Sequence, residues 1–208
     1  MEQDWFRNTT WNDEIELRFD EKLRRARDKA QYLRIQACTL ANANPSVSLK
    51  LLERYFELRD HEWDLSSAYV DQATAYEALG EIALAIGSYE KAIEREDEFP
   101  TSITRAYLEL PALIIRRNCK DRYSQALGVL EKYSNHPTFP TDRFLWHAMV
   151  SLISQELGRR GLAIVHAKQA LEEVSRTDSG FRNHPKLGLV GDEQQLTIKK
   201  LEQILQKR

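Results

Sequence analysis

Tyr69-Val-Asp-Gln-Ala73-Thr-Ala-Tyr76-Glu-Ala-Leu-Gly80, followed by Ala85-Ile-Gly-Ser-Tyr89-Glu-Lys-Ala92 and then Pro100, is the stretch on which the fold turns. It contains two segments of helical period, broken at a glycine. Small residues at Ala73 and Ala85 let two antiparallel helices approach closely, and Tyr76 and Tyr89 fill the gaps between neighbouring helices. Gly80 supplies the left-handed conformation that ends the first helix.

The pattern recurs along the chain. Tyr32, Tyr69 and Tyr107 each open a helical stretch, and the series continues at His147 beside Trp146. A second helix follows each time, with a small residue near its start: Ser48, Ala85, Ala126 and Ala163. The fourth copy keeps Gly158 at its turn and Ala163, Ala167 and Ala170 on the crossing face. In the first copy Ala37 and Ala41 precede Pro45, and Ser48, Leu52 and Tyr55 line one face. Pro45 falls at a helix start, where its missing N–H costs nothing. The third copy is irregular. Pro111 sits inside a helical pattern and is expected to kink it, and the turn Asn118-Cys-Lys-Asp-Arg122 is longer than the others.

Large residue, small residue, tyrosine, turn glycine, alanine, aromatic, alanine, proline: this order resembles the tetratricopeptide repeat (TPR) family. Tyr69, Ala73, Tyr76, Gly80, Ala85, Tyr89 and Ala92 match it in sequence, whereas Gln72 replaces the usual leucine and Pro100 comes late. The resemblance covers about 70% of the chain, residues 29–175, with repeats longer than the usual 34. It implies an all-α fold of antiparallel helix pairs stacked in a right-handed superhelix (an alpha-alpha superhelix). It also implies a concave side, lined by the first helix of each pair, that takes a peptide or protein. The ends Trp5-Phe-Arg-Asn-Thr-Thr-Trp11 and Ser179-Gly-Phe-Arg-Asn-His-Pro-Lys-Leu-Gly-Leu-Val190 are similar to those of small bacterial TPR proteins, a similarity that carries no activity.

The expected organisation is a single solenoid over residues 1–208. An N-terminal capping helix takes 12–28. Helix pairs follow at 29–58, 63–97, 101–134 and 141–175, then a loop at 178–191 and a C-terminal capping helix at 192–207. Asp13 with Glu16 forms a capping-box signature, and Ile15, Phe19, Leu23 and Ala26 follow at helical spacing. Asp192 and Gln195 open the last helix, with Leu196, Leu201, Ile204 and Leu205 assigned to one side.

Composition excludes several classes. Charged residues are 30% of the 208, yet the formal net charge is only −2, without the basic footprint of a nucleic-acid binder. The polar, acidic start is unlike a secretory signal. The apolar runs, such as residues 111–115, are far too short for a membrane span. Two cysteines give no disulfide framework and point to a reducing cytoplasm. Phosphate loops, dinucleotide fingerprints and nucleophile elbows are absent from the sequence, so no enzyme, cofactor or metal is expected.

The expected partner-binding groove takes its register from the repeat aromatics. Its proposed contact residues are Arg34, Asp71, Thr74, Glu77, Arg105, Glu109, Arg116, Met149 and Gln155, flanked by Leu33, Ala37, Val70, Leu108, Ala112, Ala148, Leu152 and Glu156. The charges there nearly cancel. The lysine, arginine and asparagine clamp that holds a carboxylate in some TPR domains is missing, which argues against a receptor for chaperone tails. A merely solvated face is the plainer reading. A second expectation concerns Arg182, His184 and Lys186, alternating basic residues in a glycine-containing loop that could cradle an anion; the plainer reading is a connector pinned by Phe181 and Leu187. Cys119, among Arg116, Arg117, Lys120 and Arg122, is in the setting that favours a thiolate, but a free turn cysteine is usually incidental, and Cys38 reads as packed. The five histidines show no metal-ligand spacing. Lys22-Leu-Arg-Arg-Ala-Arg27, flanked by Asp20, Glu21 and Asp28, reads as salt-bridged helix surface. Trp5, Phe6 and Trp11 are expected to pack on the first helix pair, with a homodimer surface as the other reading.

Overall fold

The structure, a computed structural model, describes residues 4–206. Residues 1–3 of the polar start and residue 207 of the expected last helix lie outside that range. The described residues form ten α-helices and no strand. They are α1 (Asp13–Arg25), α2 (Lys29–Leu40), α3 (Pro45–Leu58), α4 (Leu65–Leu79), α5 (Ile82–Glu98), α6 (Ala106–Arg116), α7 (Tyr123–Lys132), α8 (Pro140–Glu156), α9 (Arg160–Val174) and α10 (Gln195–Gln206). Single 3-10 turns precede α7 (Lys120–Arg122) and α10 (Asp192–Gln194).

Two compact units emerge, Met1–Ala106 and Tyr107–Arg208. In the first, α2 packs on α3 and α4 on α5, α3 and α4 join the two pairs, and α1 lies on α2. In the second, α8 packs on α9, α10 covers both, and α7 meets α8. The architecture is therefore all-helical, with neighbouring helices packed in repeat-like pairs.

The small residues explain the close packing. Ser48, Ala85, Ala126 and Ala163 are all at 0% exposure, one in each helix pair. Two of these positions take part in a cross-helix hydrogen bond. Ser48 Oγ donates to Ala37 O at 2.8 Å, and Ser151 Oγ donates to Ala163 O at 2.8 Å. Burying a hydroxyl without a partner would cost about 1–3 kcal/mol, so these bonds hold the seams in register.

The turns repeat as closely. Gly80, Asn118 and Gly158 each stand eleven residues after their repeat aromatic, Tyr69, Tyr107 and His147, and all three have positive φ (79, 53 and 74°). Each closes its helix with the same two bonds. Gly80 N donates to Glu77 O and Glu81 N to Tyr76 O; Asn118 N to Ile115 O and Cys119 N to Ile114 O; Gly158 N to Gln155 O and Arg159 N to Ser154 O. This is the Schellman termination, which satisfies carbonyls that the helix end leaves open. The first pair ends differently, with Asn44 N donating to Leu40 O ahead of Pro45. The small residue of the second helix follows the repeat aromatic by sixteen residues in three pairs and by nineteen in the third. The three extra residues are accounted for by the 3-10 turn Lys120–Arg122.

Pro111 lies inside α6, as its place in the helical pattern implies, and is buried. Some expectations need correction. The cap of α1 is Asn12, not Asp13: Asn12 Oδ1 accepts from Ile15 N at 2.9 Å. In α10 the core side is Ile198, Leu201 and Ile204, while Leu196 is 75% exposed. Five residues separate Leu196 from Leu201, about 140° around a helix, so the two cannot share a narrow face.

The N-terminal aromatics pack on α1 and α2. Trp5 lies 5.4 Å from Phe19 and 4.9 Å from Tyr32, Phe6 lies 4.8 Å from Tyr32, and Trp11 lies 5.5 Å from Phe19, centroid to centroid. Fully buried Gln36 fastens the same segment by accepting from Asn8 N at 2.9 Å and donating to Asn8 O at 2.8 Å.

Candidate functional site

The polar positions of the first helices divide between structural and surface work. In the first unit Arg34 (α2) reaches two carboxylates. Its Nε donates to Asp64 Oδ2 at 3.0 Å and its Nη1 to Asp71 Oδ2 at 3.1 Å. Asp64 is 2% exposed and also accepts from Tyr55 OH at 2.5 Å. Burial pushes the Asp71 carboxyl above the usual range, against the pull of Arg34 beside it. Burial, then the hydrogen bond to Asp64, pushes the Tyr55 phenol up. This knot ties α2, α3 and α4 together, so Arg34 and Asp71 are internal partners of each other rather than groove surface. Leu33 and Ala37, placed inward by the register, are at 0% exposure and belong to the core. Thr74 Oγ1 donates to Val70 O within α4 at 3.0 Å. Thr74 and Glu77 remain half-buried on α4, and Arg105 is exposed.

In the second unit Met149 is buried at 5% exposure, and Leu108 and Ala148 are buried with it. Met149, being buried, therefore leaves the groove set as well. Glu109 and Gln155 are half-buried and Arg116 is exposed. Glu156 pairs with Lys120 at 2.6 Å.

Two of the histidines, which show no metal-ligand spacing in sequence, meet in space. His147 on α8 and His166 on α9 face each other across the hairpin, Nδ1 to Nδ1 at 2.9 Å, with Trp146 stacked edge-on against both rings. One ring nitrogen donates and the other accepts, so at most one Nδ1 carries the shared proton. Burial, and then the neighbouring His166, hold His147 down to about 4, and burial lowers His166 too. Nineteen residues separate the two, a spacing no local motif signals; only the hairpin register brings them together. Among the described residues, no three His, Cys, Asp or Glu side chains are arranged to hold a metal ion.

The loop after α9 is a compact connector. Ser179, 7% exposed, donates from its backbone N to Pro185 O at 2.7 Å and from Oγ to His184 O at 2.9 Å. Phe181 lies 5.2 Å from Phe139, and Thr141 N donates to Gly188 O at 2.8 Å. Gly188, at φ 66°, passes so close to Phe139 that an added Cβ would sit 2.6 Å from its Cβ. Phe181 acts as a pin; Leu187, 51% exposed, does not. Arg182, His184 and Lys186 are all exposed.

Of the cysteines, Cys119 is half-buried, with its thiol 3.8 Å from Arg117 O. Cys38, expected to be packed, is exposed on α2. Its thiol is pushed up to about 11 by local burial, by the charge of Asp71 and by its hydrogen bond to that carboxylate.

Two clefts open beside α1. One of about 510 Å³ is lined by Asp4, Trp5, Arg7, Asn8, Arg18, Phe19 and Lys22, with Ile15 and the threonines 9 and 10 completing it, and Arg7 meets Asp4 there at 3.5 Å. A smaller one of about 310 Å³ is lined by Trp5, Lys22, Arg25, Ala26 and Tyr32. Sequence reasoning missed them because Trp5, common to both, comes from a segment without helical period. Arg18 meets Glu14 at 3.4 Å, but that contact is exposed and loose.

Comparison with protein-family models, with curated proteins and with solved structures finds no match to this chain. Of the described helices, none is long and apolar enough to cross a membrane.

Proposed function

We propose that the chain is a TPR-type interaction module that binds a protein or peptide through the exposed faces of its first helices. The observation that carries this reading is the shared turn: Gly80, Asn118 and Gly158 stand at one offset from the repeat aromatic and close their helices with identical bonds. A right-handed superhelix of such pairs is part of the proposal. Chains built from one repeated helix pair leave the first helices facing a common side, a surface suited to extended or helical peptides.

The proposed binding residues, each at least partly open to solvent, are Thr74, Glu77 and Arg105 in the first unit, and Glu109, Arg116 and Gln155 in the second. These mix both signs of charge. Recognition would then rest on shape and hydrogen bonds more than on electrostatic steering.

Photo-crosslinking tests the proposal. A photoreactive residue at Glu77 or at Gln155 is expected to give a discrete adduct with a protein in native lysate. The same group at Lys91 or Lys168, exposed on the second helices, is expected to give none. Adducts confined to the second helices, or none at any position, overturn the reading.

A further inference from the structure

α1 presents two different faces. Phe19 and Leu23 are buried against the core, with Ala26 half-buried beside them. Arg18, Lys22 and Arg25 stand at spacings of four and three residues, one stripe along roughly 10 Å of helix. Like charges at such spacings repel by a few tenths of a kcal/mol per pair. The negative end of the helix dipole accounts for cations in the last turn. It does not account for Arg18, a turn earlier, nor for Arg7 from the N-terminal segment; these meet Glu14 at 3.4 Å and Asp4 at 3.5 Å, exposed contacts of little strength. Nor does it account for the open space these cations surround. Arg7, Arg18 and Lys22 line the larger cleft, and Lys22 and Arg25 the smaller.

Trp5 is common to both clefts, and Tyr32 stands 4.9 Å from it in the wall of the smaller. The segment that carries Trp5 is held by buried Gln36 and by the ring contacts to Phe19 and Tyr32. The site is thus preorganised: an aromatic wall on a fastened segment, facing a row of cations on a helix. A volume of about 510 Å³ is that of a small-ligand site rather than of a long peptide groove. Several cations spread over one helix face suit a string of phosphates better than a single carboxylate, and tryptophan beside them suits a flat ring.

We infer that the larger cleft, between the N-terminal segment and α1, binds a small phosphorylated ligand carrying a planar ring, the chemistry of a nucleotide, with Arg7, Arg18 and Lys22 on the phosphates and Trp5 on the ring. This site does not depend on the peptide-binding reading, and the two can fail separately.

The test titrates the full chain with ATP, inorganic tripolyphosphate and adenosine, read by calorimetry and tryptophan emission. ATP is expected to bind saturably, more tightly than either fragment, and more weakly as salt rises. The emission change is expected to vanish in Trp5→Phe, which keeps a ring in place. Arg18→Gln with Lys22→Gln, both exposed and both keeping helix propensity, is expected to weaken ATP at least tenfold, with an unchanged far-UV spectrum. Lys22→Gln alone serves if the pair does not fold, with at least a threefold loss expected. The inference is overturned if neither ATP nor tripolyphosphate binds saturably. It is equally overturned if the glutamine variants bind ATP as the parent does, or if tripolyphosphate or adenosine alone matches ATP.

Discussion

The Nδ1 atoms of His147 and His166 lie 2.9 Å apart across the α8–α9 hairpin, sharing one proton between them. The unfolded chain takes up protons at both imidazoles near 6.5. In the folded protein His147 resists protonation until about 4. Between those values the unfolded state binds more protons, so stability falls as pH falls through the window from about 6.5 to about 4. The expected loss is roughly 1–2 kcal/mol, less than the full linkage value because both rings are partly open to water. Urea midpoints at neutral pH and near pH 4.5 measure it, with His166→Asn as the comparison that flattens the slope. A slope unchanged by that substitution places the pH dependence elsewhere.

Asp64 holds Arg34 and Tyr55 at once and is almost fully buried. Asp64→Ala therefore leaves a cation and a phenol short of a partner inside the first unit. The expected cost is about 3 kcal/mol. Asp71→Asn, which keeps the shape and an acceptor, is expected to cost less. Chemical denaturation ranks the two; an Asp64→Ala loss under about 1 kcal/mol contradicts the account of the knot.

Asn118 occupies a left-handed position that Gly80 and Gly158 fill in the neighbouring repeats. Asparagine tolerates that conformation better than most residues but still less well than glycine. Asn118→Gly is expected to stabilise the protein by about 0.5 kcal/mol, and Gly158→Ala to destabilise it by about 1 kcal/mol. Thermal melting of the two variants gives the signs, and an Asn118→Gly that melts lower than the parent refutes the assignment.

Cys38 is exposed as a residue, yet its thiol is held up to about 11, first by local burial and then by Asp71. Alkylation acts on the thiolate. At mildly alkaline pH, iodoacetamide is expected to label Cys119 at least tenfold faster than Cys38. Mass spectrometry of a time course gives the order; labelling of Cys38 first means that neither burial nor the carboxylate holds its thiol protonated.

The helix pairs were legible because their determinants are local and periodic: Ser48, Ala85, Ala126 and Ala163 announce buried seams, and all four are sealed. The polar positions were not, because register tells which side of a helix a residue takes but not what another helix brings to meet it. Arg34 finds Asp64 thirty residues away, and His147 finds His166 nineteen away. The same blindness hid the cleft beside α1, whose wall is Trp5 from a segment with no helical period at all. Asn118 was readable as part of a long turn, though not as the stand-in for a glycine.

The 3-10 turn before α7 has a consequence for how such a chain can change length. Three residues make one complete 3-10 turn, so the insertion returns α7 to the angle it would have had without it, and Ala126 stays on the seam at 0% exposure. One or two residues added at the same place and absorbed into the helix would rotate it by about 100° or 200° and swing a polar side chain into that seam. Length variation at this corner is thus expected to be quantised, with a whole 3-10 turn tolerated better than one or two residues.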